Sequence, residues 1–75
     1  MRKSAKAYTK IIRDLGKKIR ELRERQEISQ AQLGFESGLH RDQIGRIELG
    51  KQSISIHNLF AIANALDVDI KELFN

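Results

Sequence analysis

Between His40 and Arg46 the chain sets a histidine, two arginines, an aspartate and a glutamine within one short stretch. Each of these groups offers a fixed pattern of hydrogen-bond donors or acceptors at the end of a short arm. Arginine pairs bidentately with the edge of guanine, glutamine with that of adenine, and aspartate accepts from cytosine. His40, Arg41, Asp42, Gln43 and Arg46 are therefore candidates for reading base edges in double-stranded DNA.

Bond-making chemistry finds less support. His40 and His57 have no His or Cys partner at ligand spacing, so no metal site is expected. Asp42 and Glu48 stand six positions apart, on different faces of one helix, and do not make an acid–base pair. Gly45-Arg46 belongs to no glycine-rich run after a strand, so it is no phosphate loop. With no cysteine, disulfides, thiolate zinc sites and a cysteine nucleophile are excluded together. A chain of 75 residues has little room for a deep pocket. No catalytic set, cofactor or small-molecule substrate is expected, and the protein is read as a non-enzyme. No apolar run approaches the roughly 20 residues that span a bilayer, and the basic N-terminus lacks the apolar core of a signal peptide. A soluble, cytoplasmic protein with no membrane partner is the expectation.

Charge points the same way as the 40–46 stretch. The net charge is +4 and the pI about 9.8. Arg2, Lys3, Lys6, Lys10, Arg13, Lys17, Lys18, Arg20, Arg23 and Arg25 crowd the first third, opposed only by Asp14, Glu21 and Glu24. The end is mildly acidic, with Asp67, Asp69 and Glu72 against Lys71. One positive pole suits a polyanionic partner.

The elements that must hold the reading residues follow from periodicity. Tyr8, Ile11, Ile12, Leu15, Ile19 and Leu22 make an apolar stripe along a first helix, which starts between Ser4 and Thr9 and fades by Gln26. Gly16 weakens that helix by roughly 1 kcal/mol relative to alanine; a break into an arm plus a shorter helix is the alternative. Residues 1–14 are read as a basic extension that is part of, or leads into, helix 1, and residues 15–75 as the folded domain. Ser29 and Gln32 form a capping-box pattern that opens helix 2, and Gly38 closes it. Ala31 and Gly34 let helix 3 approach, Leu39 plugs the turn, and Leu33, Ile44 and Ile47 set the crossing. Helix 3 runs from about Arg41 to Leu49 and is ended by Gly50, with its first residues aimed outward. Helix 4 starts near Ser55 and turns Leu59, Ile62, Ala63 and Leu66 inward. A short fifth helix opens with a second capping-box pattern, Asp69 and Glu72, and Leu73 and Phe74 close the core. The expected fold class is all-α.

The ordered pattern resembles the Cro/C1-type helix-turn-helix family of phage repressors and bacterial regulators. It runs Ile19-Arg20-Glu21-Leu22-Arg23, Ser29-Gln30-x-x-Leu33, Ser37-Gly38-Leu39, Ile44-x-x-Ile47-Glu48-x-Gly50-Lys51, Leu59-x-x-Ile62-Ala63-x-Ala65-Leu66 and Val68-x-Ile70-x-Glu72-Leu73-Phe74. The resemblance implies a compact five-helix bundle of the lambda-repressor-like type, with the helix-turn-helix at helices 2 and 3. It assigns base reading to Arg41, Asp42 and Arg46, flanked by His40 and Gln43. It gives phosphate contacts to the start of helix 2, Ser29 and Gln30, and to the loop of Lys51, Gln52, Ser53 and Ser55. It also implies a buried ion pair between Arg23 and Glu48. Four positions depart from the pattern: Glu27 for glycine, Gly34 for alanine, Ile54 for proline, and Phe35 for a polar residue. Gly-Leu-His-Arg before helix 3 also looks like controller proteins of restriction–modification systems.

The function so implied is transcriptional regulation by a homodimer on a palindromic operator, since one unit reads only about four or five base pairs and twofold symmetry joins two half-sites. Ile56, Val68 and Ile70 are the candidates for the dimer interface. An antitoxin-type module, which would bind a partner protein and still bind DNA, is the alternative.

Overall fold

The computed structural model describes residues 5–75, with side chains from Ala7 onward. Ser4 as a helix start and the cationic side chains of Arg2, Lys3 and Lys6 fall outside that description. Helix α1 spans Ala5–Arg25 and passes through Gly16 without a break. Gly16 is buried against the end of the third helix, where an added Cβ would lie 2.2 Å from the carbonyl oxygen of Ile47 and 2.8 Å from that of Glu48. The glycine is a point of close approach, and the packing it permits offsets its poor helix propensity.

The apolar stripe of α1 is buried only in part. Leu15, Ile19 and Leu22 enter the core, whereas Tyr8 and Ile11 are exposed. Helix α2 (Gln30–Ser37) follows a turn in which Glu27 adopts a left-handed φ of 59°. That turn keeps the shape a glycine would allow, at a cost of about 1 kcal/mol for the Cβ. Ser29 Oγ accepts from the backbone N–H of Gln32, but the Gln32 side chain donates to Glu36 rather than back to Ser29. Only one arm of the expected capping box is therefore seen.

Helix α3 (Arg41–Glu48) and helix α4 (Ile56–Ala65) complete the helical set. Five helices were expected; the described residues form four α-helices and one 3-10 turn, Ile70–Phe74. Its five residues are too few to close more than one i→i+4 step, and the tighter i→i+3 pattern satisfies the same groups. The Asp69–Glu72 capping box has both arms formed. Leu73 is buried, but Phe74 is 57% exposed and does not close the core. Neighbours in a 3-10 turn point about 120° apart, so one of the pair faces away.

The core is a single cluster at the centre of these elements. Ile19, Leu33, Ile44, Ile47, Ile62, Leu66 and Leu73 are its fully buried side chains. Helix α1 packs on α3 and the 3-10 turn, and α2 packs on α3 and α4. Helix α3 is thus held from behind by two helices while its other face stays open. Among the described residues, no helix is long and apolar enough to cross a membrane.

Candidate nucleic-acid interface

The open face of α3 is set by the turn before it. Gly38 takes a φ of 76° and Leu39 N–H donates to the carbonyl of Gly34 at 2.8 Å, which closes α2. A Cβ on Gly34 would lie 2.7 Å from the carbonyl oxygen of Leu39. Even alanine, the residue the family pattern carries at this position, would force a shift here. His40 then caps α3, its Nδ1 accepting from the backbone N–H of Asp42 at 3.1 Å. With Nδ1 as acceptor, Nε2 carries the proton and is the ring's remaining donor.

Of the five base-reading candidates, His40, Arg41, Asp42 and Arg46 are exposed and Gln43 is half-buried. Arg41 and Asp42 lie side by side at the helix start, with Nε and Oδ1 3.9 Å apart. Arg46 Nε donates to Gln52 Oε1 at 2.9 Å, which draws the arginine toward the α3–α4 loop. Arg41 and Arg46 therefore point in different directions, as their offset of about 140° on a helix requires.

The phosphate candidates surround this face. Ser29, Gln30, Arg41, Asp42, Arg46 and Lys51 line one concave surface, with Arg23 on its floor. Ser29 and Ser55 are both N-caps, their hydroxyls accepting from Gln32 and Asn58. The first N–H groups of α2, beside Ser29, have no intrahelical acceptor and suit an anion. Lys51 and Ser53 are exposed, and Gln52 is half-buried.

Beneath the surface lies a closed polar network. Arg23 Nε donates to Glu48 Oε2 at 2.7 Å and Nη2 to Oε1 at 3.1 Å. Arg23 Nη1 donates to the carbonyl of Ile28 at 2.8 Å, and Gln30 Nε2 donates to Glu48 Oε1 at 3.0 Å. Glu48 beside it raises the Arg23 pKa above its already high ordinary value, so the guanidinium stays charged. Gln30 also lies against α3 at Gly45, where a Cβ would come 3.6 Å from its Oε1. One glutamine thus links the start of α2, the middle of α3 and the ion pair.

Two features carried no sequence signal. His40 is not among the residues favoured as N-caps, and the Arg46–Gln52 bond depends on how the loop folds back. Among the described residues there is no group of three His, Cys, Asp or Glu side chains that could hold a metal ion.

Comparison with known proteins bears on this geometry. The helix-turn-helix family profile matches residues 19–73. The control protein C.BamHI of Bacillus amyloliquefaciens is 39% identical over 61 residues, covering 80% of this chain and 75% of that protein. The control protein C.SmaI of Serratia marcescens is 34% identical over 59 residues, covering 79% and 70%. The crystal structure of the restriction–modification controller protein C.AhdI from Aeromonas hydrophila superposes with a TM-score of 0.87 at 37% identity, covering 89% of this chain and 97% of that one. The clp gene regulator ClgR from C. glutamicum shares the fold, with a TM-score of 0.81 at 19% identity. This chain belongs to the Cro/C1-type helix-turn-helix family of DNA-binding transcription regulators, in the company of the restriction–modification control proteins.

Proposed function

We propose that this protein is a restriction–modification control protein that binds a palindromic DNA operator as a homodimer and regulates transcription there. The observation that carries the reading is the concave surface lined together by Ser29, Gln30, Arg41, Asp42, Arg46 and Lys51. A surface that gathers side chains suited to base edges with groups suited to phosphates supports the division of labour a DNA reader needs. The protein acts in the cytoplasm, without a cofactor and without catalysis.

In this reading Arg41 and Asp42 meet base edges at the leading end of α3, with His40 Nε2 and Gln43 beside them. Arg46, steadied by Gln52, reaches a flanking base. Gln30, Ser29 and the loop of Lys51, Gln52, Ser53 and Ser55 hold the two strands' phosphates. The dimer forms through apolar groups of the α4 region, where Ile56 is exposed and Val68 and Ile70 are half-buried against the core.

Selection of bound sequences from random duplex DNA tests the whole proposal. The expected product is a pair of inverted half-sites about one helical turn apart. Recovery of no preferred sequence, or of a single unrepeated half-site, would overturn it.

A further inference from the structure

We propose that Arg13, on the N-terminal half of α1, is a DNA-phosphate contact that extends the interface beyond the helix-turn-helix. This rests on the DNA-binding reading above. Helix α1 passes the α3–α4 loop so closely that a Cβ on Gly50 would lie 2.9 Å from the Cα of Arg13. It would lie 3.3 and 3.4 Å from the Cβ and Cγ of Arg13, so the stem of that side chain runs along the glycine. The next residue is Lys51, which opens the phosphate-facing loop. One turn earlier, Tyr8, Thr9 and Ile12 share a groove with Lys51, Gln52 and Ser53. Residues 8–13 of α1 are therefore seated against the loop, and Arg13 stands at the edge of the proposed DNA face.

Arg13 makes no close ion pair on α1, although Lys10 first, and then Lys17 and Arg13, hold the exposed Asp14 carboxyl below its ordinary range. Asp14 is taken by Lys10 at 2.6 Å, Glu24 by Arg20 at 3.1 Å, and Glu21 by Lys18 at 3.4 Å and Arg25 at 3.8 Å. Arg13 and Lys17, one turn apart, are left with no ion-pair partner among the described residues. A helix whose acids are all matched, with Arg13 left over beside the Gly50–Lys51 loop, is complementary to a polyanion. Arg13 suits a phosphate better than a base, because it stands against Gly50 at the far end of α3 from Arg41 and Asp42. It fixes the protein on the duplex without reading sequence.

The experiment measures operator binding by the full chain at several salt concentrations, for wild type, Arg13→Gln and Arg13→Lys. Arg13→Gln keeps the stem that packs on Gly50 and removes the charge, and thermal melting checks that each variant is folded. Loss of one phosphate contact per subunit, two per dimer, should lower the slope of log K against log salt by about two. Affinity should then fall about tenfold less than wild type's does between 50 and 200 mM salt. Base preferences should stay unchanged at every position, and Arg13→Lys should restore the slope. An unchanged slope for Arg13→Gln, or an altered base preference, would overturn the assignment while leaving the function proposed above intact. A wild-type chain that prefers no sequence would overturn both.

Discussion

Arg23 and Glu48 lie in the interior with every polar atom engaged: two bonds join the pair, a third runs to Ile28, and Gln30 completes the carboxylate. No buried side-chain nitrogen or oxygen among the described residues lacks a partner. Such a network is worth little against an apolar replacement, but removing one member strands the other charge. Arg23→Ala should cost roughly 3–5 kcal/mol, comparable to the whole stability of a domain this small. Arg25→Ala, whose ion-pair side chain is 66% exposed, should cost less than about 1 kcal/mol. Thermal melting of the two variants checks the contrast; equal small shifts would refute it.

On the surface, the same scale separates readers from anchors. Arg41→Ala should lose about 1–3 kcal/mol of operator binding and relax preference at one base pair. Arg46→Ala should do likewise at another position. Lys51→Ala should weaken all sequences alike and lower the salt slope by about one per subunit. Gln30→Ala, uncharged, should weaken binding uniformly without that change in slope. Binding to the operator and its single-base variants, over a range of salt, resolves these outcomes. If Arg41→Ala kept every base preference, the leading edge of α3 would not be the reading edge.

Among the elements, three helical glycines look alike in the sequence and differ in what surrounds them. Gly16 and Gly34 face backbone at 2.2 and 2.7 Å, whereas Gly45 faces only the end of Gln30 at 3.6 Å. Alanine improves helix propensity at each by up to about 1 kcal/mol. At Gly16 and Gly34 it must also push two helices apart, and overpacking of this kind costs about 1–3 kcal/mol. Gly16→Ala and Gly34→Ala should therefore lower the melting temperature, and Gly45→Ala should leave it unchanged or raise it. Calorimetry on the three variants decides the matter. A stabilised Gly16→Ala would mean that α1 does not sit as closely on α3 as the structure has it.

At the scale of the whole molecule, large apolar groups are left exposed among the described residues. Ile56 is 66% exposed and Phe60, one turn on along α4, is 52% exposed. Val68 and Ile70 pack against the core, so charging them would disturb the fold as well as any interface. Ile56→Glu and Phe60→Glu are the cleaner probes of a twofold contact. Both should reduce the sedimenting mass toward the monomer and weaken binding to the full palindrome, with little change in melting of the monomer. A wild-type chain that sediments as a monomer, both free and on its selected site, would contradict the homodimer.

Local physics wrote much of this protein into its sequence. The caps at Ser29, Ser55 and Asp69, the left-handed Gly38 and Gly50, and the inward faces of α2, α3 and α4 all depend on groups within a turn or two of one another. Those determinants are enough to define a short helix, a glycine turn and a second short helix whose leading residues face solvent. What they do not determine is where distant backbones meet. The pairing of Gly16 with α3, the seat of Arg13 on Gly50, and the choice of Leu15 over Ile11 and Leu73 over Phe74 for burial were settled by how the helices cross. The Gln52 bond to Arg46 was likewise settled by the path of a loop. Periodicity marks which side of a helix is apolar, but only the position of the neighbouring helix decides how far along that side burial extends.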